Sequence, residues 1–354
     1  MKYFISQSIL LGSVVALSLR IGTRSSNLAQ IQARQFQAVL KQNYPDIKSE
    51  IVPIDASGDK SDTNNGKLIT QQLPLAIGGV DFTSALDIAL ADGIVDVVVH
   101  SLKDIPPASR WEINADAPRI TIGAYLCPRE NPQDVLVSKR YKSIEDLPMG
   151  GKVGSSSMRR QAQLLANRPD LNIINIRGNV DARLMALNRG ELDGLILALA
   201  GLNRLGMCLE DEKTYQCYPI PVEILLPCVG QGIVAITCRI NDKNILSLLK
   251  RVNHYESGIA AVTERAFLDS VDHLSPWKGR PPVAGLMSQP RSGEEFWQFR
   301  GLLATPDGRK VLTVTDKLHN NSCSEASASK LGRMAAADLL ENAGDNFLDG
   351  YYSV

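Results

Sequence analysis

Apolar positions in this chain fall into short β-branched runs separated by stretches of helical spacing, the pattern of parallel strands interleaved with covering helices. The strongest run, Val95 and Val97-Val98-Val99, predicts a strand buried on both faces. Pro106 and Pro107 cannot continue it, so His100, Ser101, Lys103 and Asp104 crowd at its carboxyl end, where open α/β sheets place their ligands. Upstream, Leu19-Arg20-Ile21-Gly22 reads as a first strand. Leu28, Ile31, Phe36, Val39 and Leu40 predict a helix from about Leu28 to Gln42, with Ser25, Ser26 or Asn27 able to cap it. Pro45-Asp46 then turns the chain into a strand from Ile47 to Ile54.

The same plan returns later. Lys152-Val153-Gly154, a turn Ser155-Ser156-Ser157, a helix Met158 to Asn167, Pro169-Asp170 and a strand Leu171 to Ile176 repeat the order of the first unit. Two such copies predict two similar α/β lobes facing each other. Between them, Leu73 to Gly93 reads as a loop and a helix. Beyond Arg177-Gly178-Asn179, a helix runs from Val180 to Asn188 and stops at Gly190, as a positive-φ glycine stop would have it. Gly194 to Leu199 reads as a buried strand, and Ile233 to Cys238, after Gly230-Gln231-Gly232, as a strand returning to the first lobe. A third unit follows: a helix Ile259 to Val271, strands Val283 to Met287, Phe296 to Ala304 and Lys310 to Thr315, and a helix from about Ser324 to Glu341. Pro306-Asp307-Gly308 is its hairpin turn. The fold class is α/β: two facing lobes, as in periplasmic binding proteins, plus a small α+β C-terminal domain. The expected division is 20–120 with 230–250, then 121–229, then 251–354, with residues 1–19 read as a targeting segment because Lys2 precedes a short apolar run.

Composition narrows the function. Lys and Arg total 38 against 38 Asp and Glu, which argues against a general nucleic-acid or acidic-membrane binder. Cys127, Cys208, Cys217, Cys228, Cys238 and Cys323 show no zinc spacing, and a chain of 354 residues needs no disulfide framework; no metal site is expected. Local clusters must therefore carry the chemistry. Met158-Arg159-Arg160 places two guanidinium groups in a first helical turn, which costs stability against the helix dipole unless an anion sits there. The bland alternative is a solvated pair. Yet Arg24 follows the equivalent strand of the first lobe, Arg177 and Arg183 flank the next loop-helix junction, and Arg20 reads as pointing the same way. Arginines repeated at one sheet edge suit a polycarboxylate. Phosphate fits less well, since neither G-x-x-x-x-G-K-[ST] nor G-x-G-x-x-G occurs. Asp104 then reads as an isolated, ionised acid among arginines, suited to hold an N–H donor or a developing cation.

These residues resemble a known family. His100-Ser101-Leu102-Lys103-Asp104-Ile105-Pro106, Gly154-Ser155-Ser156-Ser157-Met158-Arg159-Arg160-Gln161, Ile176-Arg177-Gly178-Asn179-Val180 with Arg183-Leu184, and Val229-Gly230-Gln231-Gly232 look like porphobilinogen deaminase (hydroxymethylbilane synthase). Arg20-Ile21-Gly22-Thr23-Arg24 and Ile196-Leu197-Ala198-Leu199-Ala200-Gly201-Leu202 resemble it too, and Phe299-Arg300-Gly301-Leu302-Leu303-Ala304 with Pro306-Asp307-Gly308 is most similar to plant and algal members. The resemblance implies a three-domain transferase of haem and chlorophyll biosynthesis that joins four porphobilinogen units head to tail, releasing ammonia. It implies a dipyrromethane cofactor, porphobilinogen and linear oligopyrroles as ligands, and a plastid stromal or alternatively cytoplasmic location; the balanced charge leaves no nucleic-acid or membrane partner expected, and the small third domain without an apolar amphipathic surplus reads as a monomer. By position, Asp104 is implied as the catalytic carboxylate. Arg24, Arg159, Arg160, Arg177 and Arg183 are implied to bind acetate and propionate groups, with Ser101, Lys103 and Ser157 adding hydrogen bonds.

Two stretches depart from the family. Its cofactor is attached through a cysteine in a loop after a Glu-Arg-Ala helix. Here the loop after Glu264-Arg265-Ala266 is longer, and the cysteine position falls on Ser275 counted forward from the helix or on Gly279 counted back from Pro282. The lid segment reads Gly78-Gly79-Val80-Asp81-Phe82-Thr83-Ser84, without the family's lysines. The rival readings are an inactive homologue lacking the cofactor cysteine and a two-lobed binding protein for organic anions. Asp104 discriminates against the latter, because an anion receptor gains nothing from an opposed carboxylate.

Overall fold

The computed structural model of this chain describes residues 18–55, 68–69, 83–107, 119–176, 178–207, 215–277 and 280–351. The first lobe opens with β1 (Ser18–Arg24), α1 (Asn27–Asn43) and β2 (Lys48–Ile54). Ala29, Gln32, Ala33, Phe36 and Leu40 form the buried stripe of α1, the spacing of one helical face. After the two-residue β3 (Leu68–Ile69) come α2 (Ser84–Ala91), β4 (Val97–Ser101) and β5 (Ile120–Leu126). The second lobe holds β6 (Asp134–Ser138), β7 (Lys152–Gly154), α3 (Met158–Asn167), β8 (Asn172–Ile176), α4 (Val180–Asn188), β9 (Gly194–Ala198), α5 (Leu199–Leu205) and β10 (Gln216–Pro219). The chain then crosses back as β11 (Val234–Arg239) and α6 (Lys243–Val252).

Two sheets result, ordered β2-β1-β4-β11-β5 and β10-β6-β9-β7-β8-β3. In the first, β1 is parallel to β2 and β4, while β11 is antiparallel to β4 and β5. In the second, β7 is parallel to β8 and β9, and β6 runs against β9 with Asp134 opposite Ala198. This antiparallel strand matters for the site: it brings the first residue of β6 to the edge where the parallel strands end.

The C-terminal domain packs α7 (Tyr255–Leu274) and α8 (Glu325–Ala343) on an antiparallel sheet of β12 (Val283–Ser288), β13 (Phe296–Ala304) and β14 (Val311–His319). Ser324 and Ser327 close a capping box at the start of α8. The turn from β13 to β14 needs glycine at Gly308: its φ is +72°, and a Cβ there would stand 2.2 Å from the Ala162 carbonyl oxygen. That contact seats the hairpin on α3.

Several expectations move. Leu19, which the apolar pattern puts in the first strand although the domain division leaves it in the targeting segment, lies in β1 at 1% exposure, and residues 1–17 lie outside the described ones. The strand Ile120–Leu126, expected at the start of the second lobe, pairs with β11 in the first sheet. The third-unit helix begins at Tyr255, the last strand extends to His319 because it pairs along the whole of β13, and α6 is an element the apolar pattern did not single out. Cys217 is disulfide-bonded, which the scattered cysteine spacing did not foretell.

Where the lobes meet the third domain, Glu264 is fully buried on α7. Its carboxylate accepts from Arg129 Nη1 (2.5 Å), the Gly230 amide (2.7 Å) and the Met287 amide (2.8 Å), so one side chain joins three segments. Removing one partner of such a pair leaves an uncompensated buried charge. Glu264→Gln is expected to lower unfolding stability by about 3 kcal/mol or more, read from the urea midpoint; an unchanged midpoint would show that the ion pair contributes nothing.

Candidate functional site

Chain direction gathers the chemistry. In the first lobe β1 ends at Arg24 and β4 at Ser101, followed by one 3-10 turn over Leu102–Asp104. In the second lobe β7 leads to Ser155-Ser156-Ser157 and α3. All are carboxyl ends of parallel strands, and Gln231, just before the antiparallel β11, lies beside them because Val234 pairs with Ser101.

Asp104 is not isolated. Arg24 Nη1 stands 3.9 Å from its carboxylate, both side chains about a quarter exposed. Ser101 Oγ accepts a hydrogen bond from Gln32 Nε2 at 2.9 Å, so a buried glutamine of α1 sets its direction. Lys103 Nζ faces Gln231 Oε1 at 3.4 Å. Lys103 reaches solvent, yet surrounding protein pushes its ammonium below the usual range against the pull of Asp104, as for a side chain on a cleft floor. His100 is buried and its Nε2 has no hydrogen-bond partner. Burial, then the Arg24 charge, push it down to about 3, so at neutral pH it is an uncharged wall rather than an acid.

The arginines of α3 are neither splayed into solvent nor left wholly free for a ligand. Both are buried, and both meet Asp134, a residue the sequence did not single out. Arg159 Nη2 lies 2.7 Å from Asp134 Oδ2, and Arg160 donates to Oδ1 from Nε (3.0 Å) and Nη2 (2.6 Å). Burial alone would raise the Asp134 carboxyl, but the Arg159 and Arg160 charges outweigh it and hold it at about 2. Ser157 is the N-cap of α3 in extended backbone and makes no side-chain cap bond.

The remaining expected residues sort as follows. Arg183 donates from Nε to the Gly178 carbonyl at 2.8 Å, next to Asn179, whose side chain caps α4. Arg177, Gly279 and the lid residues 78–82 lie outside the described residues. Arg20 does not join the cluster: it pairs with Asp96 at 2.7 Å, ahead of β4 at the opposite strand end. Ser275 ends α7 and its hydroxyl donates to the Val271 carbonyl. Among the groups placed together, four cations (Arg24, Lys103, Arg159, Arg160) face two carboxylates (Asp104, Asp134). The surplus is positive, in surroundings where charge is poorly screened. Such a place suits an anion and leaves one carboxylate, Asp104, about a quarter exposed.

Comparison with known proteins gives the family. Residues 19–247 match the family described as porphobilinogen deaminase, dipyromethane cofactor binding domain. A porphobilinogen deaminase of Syntrophomonas wolfei is 38% identical over 328 residues, covering 92% of this chain and 96% of that protein. Among solved structures, a periplasmic binding protein of Salmonella typhimurium described for high arginine specificity aligns over 67% of this chain and 92% of its own, with 14% identity and a TM-score of 0.38. The periplasmic aliphatic sulphonate binding protein of Escherichia coli aligns over 73% and 70%, with 14% identity and a TM-score of 0.39. At those scores the fold reading rests on the sheet topology above rather than on these neighbours.

Proposed function

This chain belongs to the porphobilinogen deaminase family, and on that premise we propose that its arginine cluster holds the acetate and propionate groups of porphobilinogen and of linear oligopyrroles while Asp104 stabilises the reacting pyrrole. The family's reaction is hydroxymethylbilane synthesis, a transferase step of tetrapyrrole biosynthesis. The observation that carries the site reading is the surplus of positive charge around a single reachable carboxylate. Loss of ammonia from the aminomethyl group of porphobilinogen leaves a cation spread over the pyrrole ring. A fixed carboxylate facing the ring N–H lowers that state more than the neutral one, which is the condition for catalysis. Arg24 stands 3.9 Å from Asp104 and Lys103 is its chain neighbour, so both cations draw the acidic side chains of a ligand to themselves and away from that carboxylate.

The family's cofactor fits this chain only in part. The arginines suit its carboxylates, but a thioether needs sulfur on the loop after α7. Ser275 has none, its hydroxyl being given to Val271, and the free thiols among the described residues, Cys127, Cys228, Cys238 and Cys323, lie on other segments. These residues support no covalent attachment of the family's kind.

The test of the site is ligand titration. Arg177→Leu is expected to cost about 1.5–3 kcal/mol of porphobilinogen binding, the range for hydrogen bonds to charged groups. Equal affinity in the variant would remove Arg177 from the site. We also place the protein in a plastid and its product in chlorophyll as well as haem synthesis, on the plant-like Phe299-Arg300-Gly301 and Pro306-Asp307-Gly308 stretches. A fluorescent fusion of the whole chain should collect in plastids of an algal cell; cytoplasmic fluorescence would overturn that placement.

A further inference from the structure

We propose that Asp134 is a positioning residue: it holds Arg159 and Arg160 in the geometry a ligand carboxylate meets and, locked by Gln231, joins them to Lys103 across the two lobes. The inference rests on the reading above that this cluster binds pyrrole carboxylates.

Two adjacent guanidinium groups repel one another, and left alone they would spread apart. Asp134 stands between them, fully buried at the first position of β6. Each arginine is fixed at a second point by a backbone carbonyl, Arg159 Nη1 to Leu226 (2.6 Å) and Arg160 Nη1 to Ile196 (2.9 Å). Carboxylate on one side and carbonyl on the other leave little rotational freedom, so the ordering cost is met before a ligand arrives. Gln231 extends the hold. Its Nε2 donates to Asp134 Oδ1 (2.9 Å) and to the Pro132 carbonyl (2.8 Å), while its Oε1 faces Lys103 Nζ (3.4 Å). Gln231 precedes β11 of the first sheet and Asp134 opens β6 of the second. The chain of contacts therefore sets the arginines of one lobe against the Lys103–Asp104 turn of the other.

The sign of one effect separates positioning from bulk charge. If only net charge mattered, removing a carboxylate beside an anion site would tighten anion binding. If Asp134 positions the arginines, its loss weakens binding. Calorimetric titration of the full chain with porphobilinogen is expected to show Asp134→Asn raising Kd by about tenfold or more, the scale for breaking one side of a buried charge pair. Because Asp134 acts through Arg160, adding Asp134→Asn to Arg160→Leu should cost clearly less than it does alone; a purely structural role would leave the two losses additive. Should Asp134→Asn fail to fold, Gln231→Met decides: it keeps the carboxylate, and a rise in Kd of about threefold or more is expected from the lost amide bonds. Equal or tighter binding by a folded Asp134→Asn, additive losses, or an unchanged Gln231→Met would each overturn the inference while leaving the cleft reading intact. Absence of binding by the unmodified chain would overturn the cleft reading and the inference together.

Discussion

Recombinant protein of this sequence is expected to carry no covalent pyrrole: its intact mass should equal that of the chain, and the denatured protein should give no colour with an acidic aldehyde reagent. Attachment of the family's kind needs a thiolate on the loop after α7. Ser275 offers a hydroxyl, a far poorer nucleophile unless a base activates it, and that hydroxyl is already bonded to the carbonyl of Val271. The remaining described thiols are poor substitutes. Burial pushes Cys238 up to about 11, and burial also raises Cys127 and Cys323, which lowers their thiolate content. Cys228 is partly exposed, but it stands on the segment before Gly230-Gln231-Gly232 rather than on the loop.

The loop itself is fastened elsewhere. The Trp277 ring lies 5.3 Å from that of Phe347, and its Nε1 donates to the Gly344 carbonyl at the end of α8 (3.1 Å). Gly279→Cys together with excision of Ser275 to Lys278 both restores the sulfur and cuts this tether. That variant should gain a mass increment of two pyrrole units on incubation with porphobilinogen, and its turnover should exceed that of the unmodified chain. A mass increment on the unmodified chain would refute the first expectation, and a restored loop that stays bare would refute the second.

What could be read from sequence follows from what is local. The helix Val180–Asn188 starts at its Asn179 cap and the helix Met158–Asn167 stops just before Pro169-Asp170, and those signals lie within a few residues. Asp134 stands far upstream of Arg159 and Arg160 in sequence, and only the antiparallel placement of β6 brings them together. That is why two arginines that read as ligand-facing prove to be held first by the protein. Gln32 escaped notice for the same reason, being one more polar residue of α1 until β4 lies beside it. Arg20 misled in the opposite direction. It sits in the same short motif as Arg24, but at the other end of the strand, where Asp96 takes it. The helix Lys243–Val252 had a local signal, Asp242 as cap and Ile245, Leu248, Leu249 and Val252 on one face, and could have been found.

Asp104→Asn should be the most damaging single substitution for chemistry. The variant keeps the size of the side chain and can still accept a hydrogen bond, but it removes the charge that would face a cationic pyrrole. Oriented charges of this kind contribute about a hundredfold or more to turnover when removed one at a time. The fold should tolerate the change. Asp104 is about a quarter exposed, its Arg24 partner is 3.9 Å away, and ion pairs of that exposure contribute little to stability. The expected signature is therefore a fall in kcat of about two powers of ten or more with a thermal midpoint close to that of the parent. It is best measured in the loop-restored chain, where turnover is high enough to follow. Porphobilinogen affinity should hold or improve slightly, because a negative charge is lost from an anion-binding cleft, so the loss falls in kcat rather than in KM. Equal turnover in the variant would reduce Asp104 to the end of a strand; a loss accompanied by a large drop in thermal midpoint would assign it to the fold instead of the reaction.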